Sequence, residues 1–432
     1  MSDQNIHPKK YDELRSNYKY YIDSFNALYQ LNAENEEEIN SIYKKIKTEL
    51  IDSMKYLPQN IIRDIFDIVA YNNRYLKSYL TLAKLIFDDY HVKDVDTLNI
   101  LPKYLFYKEY GIKLGHPIYI EEIKFDNLEI CSENTIFRAI MYDNKESFIH
   151  FMEVGEFDET QILRSDLYPY SEEGYSLLEL CCYNGSVDCF KLLRTKFKSP
   201  ITQKCLEFSF LGGNPEIMSE CLKYQKPDEF TMKHAIISHN IDFVSFLMNE
   251  HNIDIDLSIC AKYKNLESFL VYFDQTNGID KCFVYSIMFN IPSILEYFFS
   301  QGANINEKDE NGETALHNAT IENNEETVEF LITHGANINE KNENEETALH
   351  YAATNNCTQI AEFLILHGAN INEKDKKGKT ALHNASIWNC KETADLLILL
   401  GANIDEKDDN DQTDLHYAIE TISKETIEFL IS

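Results

Sequence analysis

The strongest constraint on what this chain can fold into is a segment that repeats without insertion or deletion. "GANINEKDENGETALHNATIENNEETVEFLITH" begins at Gly302, and close copies begin at Gly335, Gly368 and Gly401, a step of 33 residues each time. Each copy reads as the same short module. Gly302 follows an apolar run, where a glycine readily takes the left-handed conformation that ends a helix. "ANINEKDENG" is a connector rich in turn formers. Thr314 precedes Ala315, Leu316 and Ala319 and is placed to cap a first helix. After the polar break "ENNEE", Val328, Leu331 and Ile332, with Phe330 beside them, mark a second amphipathic helix. Two short helices and a turn cannot bury their apolar face alone, so the copies must stack and share one core. The expected fold is an all-α solenoid.

Every copy also holds one histidine, at His317, His350, His383 and His416. Packed helices lie about 10 Å apart, whereas the ligands of one zinc ion each lie about 2 Å from the metal. The four rings therefore do not make a common metal site. A site is needed once and a joint is needed in every unit, so recurrence at each step points to a structural role.

The period, the "GANIN" connector and "TALH" in the place of a T-P-L-H signature resemble the ankyrin repeat family. The resemblance implies helix-turn-helix repeats with turn or β-finger connectors, and a histidine that hydrogen-bonds the connector turns and locks finger to helix. This sequence departs from the family pattern in two ways. The proline is Ala315, Ala348 and Ala381, and Asp414 in the last copy, which gives up a pre-set first-turn φ. The turn glycine of Gly312 and Gly378 is Glu345 and Asp411 in the other copies. If that position needs positive φ, those two turns are strained.

Upstream, "MKHAIISHNIDFVSFLMNEHNIDID" from Met232 aligns with the first regular copy without gaps: Ala235 with Ala319, Asn240 with Asn324, Phe246 and Leu247 with Phe330 and Leu331. The same template fits stretches starting at Asn134, Gly174, Lys204, Ser258 and Lys281, so about ten units run from residue 134 onward, six of them degenerate. Residues 1–130 differ. Pro58 stands where a helix can start, and Ile61, Ile62, Ile65, Val69, Leu76, Leu80 and Leu85 follow at helical intervals. The expected organisation is an N-terminal helical region (1–130), degenerate ankyrin-like repeats (131–301) and four regular ankyrin repeats (302–432). The upstream part resembles the region of unknown function in large ankyrin families of some protozoan parasites, a likeness that brings no activity with it.

The formal charge of −32 repels phosphate backbones and anionic headgroups, which argues against nucleic acid and membrane surface as partners. The N-terminus lacks a positive segment followed by an apolar core, and no apolar run approaches the roughly 20 residues that span a bilayer. Ten cysteines without C-x-x-C spacing read as free thiols in a reducing compartment. An intracellular, cytoplasmic protein is expected. Phosphate-loop, dinucleotide, zincin and nucleophile-elbow motifs are absent, and the acidic runs lie on polar loops, so no catalytic residue, cofactor or metal is assigned. In residues 1–130 only His7 and His91 stand among tyrosines and aliphatics, so a cryptic enzyme there has little to work with.

The family's variable surface, carried onto this sequence, gives the candidate partner-binding residues. These are Lys308, Glu310 and Asn311 in the first regular copy, Glu343 and Asn344 in the second, and Lys376, Lys377, Lys379, Ile387 and Trp388 in the third. Trp388 is the only tryptophan and occupies a position filled by Glu322, Asn355 and Thr421 elsewhere, which implies exposure. With the three lysines it is expected either to anchor a partner bearing acidic and apolar groups or to fill a groove on the neighbouring repeat. Phe429, Leu430 and Ile431 of the last copy suggest a terminal docking or self-association site. The function expected is a non-catalytic protein-protein interaction scaffold or adaptor that uses the concave repeat surface. The alternative is a structural or regulatory subunit holding an enzyme partner through the N-terminal helical region.

Overall fold

A computed structural model of the chain describes residues 8–93, 95, 99–114, 123–128, 135–153 and 157–420. The chain divides into two compact units, 1–274 and 275–432. Phe429, Leu430 and Ile431 lie outside the described residues.

The first unit opens with helices Pro8–Asn17, Lys19–Tyr29, Glu36–Lys45, Pro58–Ile68, Leu76–Tyr90 and Ile100–Tyr110. Pro58 does start a helix, because its fixed φ suits the first helical turn and its missing N–H has no partner there in any case. Ile61, Ile62, Ile65 and Val69 are buried with Phe25, Leu28, Tyr79 and Ile86, while Leu76 and Leu85 are half-buried. Five helical hairpins follow: Ile136–Met141 with Lys145–Glu153, Leu177–Asn184 with Val187–Leu192, Gln203–Gly212 with Pro215–Cys221, Glu229–Ile237 with Ile241–His251, and Leu257–Lys262 with Leu266–Thr276. Each first helix has a polar N-cap, in turn Thr135, Ser176, Thr202, Asp228 and Asp256. Each hairpin turns through a left-handed residue: Asp143, Gly185, Gly213, His239 and Lys264.

The spacing of those left-handed residues differs from that of the regular copies. Gly213, His239 and Lys264 follow one another at 26 and 25 residues, against 33 between Asn323, Asn356 and Asn389 of the regular copies. The shortfall comes out of the connector, so these hairpins stack without a finger. Only the connector before Leu177 is long, and it forms a short antiparallel pair, Ile162–Leu163 with Tyr175–Ser176.

The second unit holds Ile279–Ser286 with Pro292–Ser300, Ala315–Ile321 with Glu325–Thr333, Ala348–Thr354 with Thr358–Leu366, Ala381–Ile387 with Lys391–Leu399, and the first helix of a further repeat, Asp414–Glu420. Ala315, Leu316, Ala319, Val328 and Leu331 are buried, and their counterparts repeat this in the next two copies. Each finger is a tight turn: the Asp309 N–H donates to the Glu313 carbonyl at 2.9 Å, and Asn342, Asp375 and Asp408 do the same in their copies. At the tip all four copies have positive φ: Gly312 at 75°, Glu345 at 61°, Gly378 at 74° and Asp411 at 60°. The two non-glycine residues thus hold a conformation that costs an L-residue about 1–2 kcal/mol.

Glu345→Gly is expected to stabilise the second unit by about 0.5–1 kcal/mol, the relieved strain exceeding the entropy that glycine adds to the unfolded chain; an unchanged or lower urea midpoint contradicts this. Asp414 offers a second test. It is 1 % exposed, neither carboxylate oxygen has a hydrogen-bond partner, and its counterparts are buried alanines. Burial raises its pKa to about 6. Its folded-state pKa lies above the unfolded value, so the penalty is complete above pH 6 and fades as pH falls toward 4. Asp414→Ala should gain about 1–3 kcal/mol at pH 7 and less at pH 5, read from melting curves at the two values.

Candidate protein-binding face

The regular repeats are held in register by polar joints that each unit makes to the next. The Thr314 backbone N–H donates to His317 Nδ1 at 3.1 Å, and the Thr314 hydroxyl lies 2.9 Å from the same nitrogen. A backbone N–H can only donate, so Nδ1 is an acceptor and the proton sits on Nε2, which donates to the Glu346 carbonyl of the next finger at 3.2 Å. His350 reaches the Lys379 carbonyl and His383 the Gln412 carbonyl in the same way. His416 is exposed and pairs with Thr413. Burial pulls the pKa of His317 down to about 4 and lowers those of His350 and His383. The rings are neutral joints: the contribution of His317 is lost as pH falls from about 6.5 toward 4, where the unfolded chain takes up protons that the folded one refuses, and those of His350 and His383 weaken in the same direction.

Lysines make a second joint. Lys308 Nζ donates to the Lys341 carbonyl at 2.8 Å and pairs with Glu340 at 2.7 Å; Lys341 does the same with Lys374 and Glu373, and Lys374 with Lys407 and Glu406. Asn306 Oδ1 accepts from the Asn337 N–H at 2.8 Å, a step repeated from Asn339 to Asn370 and from Asn372 to Asn403. At the tips the Glu343 N–H donates to the Asn311 carbonyl, Lys376 to Asn344, and Asp409 to Lys377.

This frame sorts the candidate residues. Lys308 is engaged with the next repeat, and Lys379 sets its ammonium over the Tyr417 ring at 4.7 Å. The side chains of Glu310, Asn311, Glu343, Asn344, Lys376 and Lys377 stand exposed at the finger tips, while Ile387 is half-buried. Trp388 is 62 % exposed, so it does not fill a groove. The lysines do not flank it: they precede Thr380 at one end of helix Ala381–Ile387, and Trp388 closes the other, about 10 Å away by helical rise. The finger tips and the turn row that contains Trp388 are thus two separate margins of the exposed surface.

In the first unit the N-terminal helical region crosses the corresponding turn row and covers part of it, leaving Tyr142 41 % exposed. Arg74 stacks on Tyr142 at 5.6 Å and donates to the Asn184 carbonyl at 3.2 Å. The Tyr183 hydroxyl donates to the Ala70 carbonyl at 2.8 Å, and the Tyr71 and Tyr263 hydroxyls meet at 3.0 Å. Gln30 donates to the His239 carbonyl at 2.8 Å, Tyr29 stacks on the His239 ring at 4.1 Å, and Arg15 pairs with Glu267 at 2.5 Å. His239 is itself 4 % exposed, with Nε2 donating to the Tyr263 carbonyl and Nδ1 against the Asn26 side chain. None of these contacts has a repeating sequence pattern to announce it. A cleft of about 370 Å³ remains along this seam, with Arg74 its single charged lining residue.

A profile of ankyrin repeats matches residues 283–375 and 363–432, and a profile described as a domain of unknown function (DUF3447) matches residues 197–272. No curated protein matches the chain. Residues 283–432 are thus a stretch of ankyrin repeats, a protein-protein interaction module, and a helical region lies upstream of them. Among the described residues no helix is long and apolar enough to cross a membrane, and no group of His, Cys, Asp or Glu is placed to hold a metal ion.

His350→Ala is expected to cost about 2–4 kcal/mol, because it leaves the buried Thr347 N–H and Lys379 carbonyl without their partner. His416→Ala, at an exposed ring, should cost about 1 kcal/mol or less. Equal losses in urea titrations of the two variants would remove the joint from this account.

Proposed function

We propose that the chain is a non-catalytic scaffold or adaptor that holds a protein partner on the open face of its regular repeats, 302–400. The observation that carries this reading is the contrast between the two turn rows. The row in the first unit is bonded by residues 15–74 of the same chain, with Tyr142 left 41 % exposed, whereas Asn355 stands exposed in the second and Trp388 is 62 % exposed without such a covering contact among the described residues. An exposed tryptophan on a rigid stack suits an interface anchor. The exposed finger-tip residues Glu310, Asn311, Glu343, Asn344, Lys376 and Lys377 supply charge of both signs for partner selection. In this reading residues 1–130 brace the following hairpins through contacts at 26–30 and 70–74. The nine described cysteines are all free and buried, which fits a reducing, intracellular setting.

Partner recovered with the wild-type chain from its own cells should be lost with Trp388→Ala, by about 2 kcal/mol or more in affinity, while the melting temperature stays unchanged. Undiminished capture together with a lowered melting temperature would make Trp388 a packing residue. Reversing Lys376 and Lys377 to Glu should change the association rate and its salt dependence more than the dissociation rate, as surface plasmon resonance reports.

A further inference from the structure

Tyr142 and Trp388 occupy the same place in their hairpins. Each closes a first helix, with φ, ψ of −104°, 10° and −92°, 6°. The Tyr142 N–H donates to the Arg138 and Ile140 carbonyls, and the Trp388 N–H to those of Asn384 and Ser386. A left-handed residue follows in both, Asp143 and Asn389, and the next N–H closes the turn at 2.8 Å, from Asn144 to Ala139 and from Cys390 to Ala385. What differs is the ring's company. Tyr142 has the guanidinium of Arg138 at 5.0 Å from its own helix and that of Arg74 at 5.6 Å from the covering region. Arg74 comes from the short turn that follows helix Pro58–Ile68, and it also bonds the carbonyl of Asn184, which ends the next hairpin's first helix. Trp388 has Asn384 where Arg138 stands, and none of the described residues sets a cation over its indole.

We propose that the turn row of the regular repeats docks a protein segment that ends a helix there and presents an arginine to the face of Trp388. The proposal rests on the reading of this face as the docking surface and adds the chemistry of what docks. An indole is the strongest cation platform among the aromatic side chains, and a guanidinium is weakly hydrated and stacks on such a face. Asn355 and Glu322 end the first helices of the two preceding repeats, Asn355 exposed and Glu322 half-buried. Lys376, Lys377 and Lys379 stand at the opposite end of helix Ala381–Ile387, while Lys391, which opens the next helix, lies near the carboxylate of Asp395. A net charge of −32 favours the approach of a basic segment.

The test selects helix-forming peptides from a random displayed library on the full chain and titrates the winners. The single tryptophan makes indole fluorescence a direct readout of occupancy. The selected peptides are expected to share an arginine whose replacement by neutral citrulline weakens binding about 3- to 30-fold to wild type and to Trp388→Tyr, but not to Trp388→Ala. Equal losses on wild type and Trp388→Ala, or winners without arginine that still quench the indole, overturn the arginine assignment and leave the docking face standing. Winners whose binding ignores Trp388 altogether, or a selection that returns none, overturn the docking face and the arginine with it. Melting curves for both variants establish that the fold is intact.

Discussion

The backbone of each finger has polar groups that no group inside its own repeat can satisfy, and the second unit depends on this. The carbonyl before Thr347 is bonded by a histidine 29 residues earlier, the carbonyl of Lys341 by a lysine 33 residues earlier, and the N–H of Asn337 by an asparagine 31 residues earlier. These offsets close only if every copy has the same length. The strict 33-residue step is thus a consequence of hydrogen bonding between copies as much as of the apolar core, since a single insertion in one connector would break three joints together.

The same constraint separates what must repeat from what is free to vary. Thr, His, Lys, Glu and Asn of "GANINEK" and "TALH" recur because each has a fixed partner, the threonine in the histidine of its own copy and the others in an adjacent copy. The finger tips and the residue before the left-handed turn have no such duty, and they differ: Glu322, Asn355 and Trp388 at one margin, Glu310, Glu343 and Lys376 at the other. Variation alone did not separate the two margins. Sequence spacing places Lys376 and Trp388 in one repeat, but only the seven-residue helix between Thr380 and Trp388 sets them at opposite ends.

How much could be read in advance follows from periodicity. The regular copies, their capping threonines, the left-handed tip at Glu345 and Asp411, and the worn hairpins at Met232 and Lys281 were all legible, because stacking imposes a repeating pattern on sequence. The role of Lys308 was not. An isolated lysine on a polar connector looks like surface, and its reach to the carbonyl of Lys341 is visible only once the neighbouring finger is in place. The contacts of Tyr29, Tyr71 and Arg74 were hidden for the opposite reason: each is made once, to a partner far along the chain, and leaves no period behind.

The worn hairpins and the covering region belong together in this account. Hairpins at steps of 25 and 26 residues have no finger, and with it they lack the histidine, lysine and asparagine joints that hold the regular copies. Their stack needs cohesion from elsewhere. The N-terminal region supplies it by crossing the turn row of successive hairpins: Arg74 at Tyr142 and Asn184, Gln30 and Tyr29 at His239, Tyr71 at Tyr263, Arg15 at Glu267. A strap of this kind replaces joints between neighbours with contacts that span them. It also occupies part of the turn row of these hairpins, whereas in the fingered repeats Asn355 and Trp388 stand exposed.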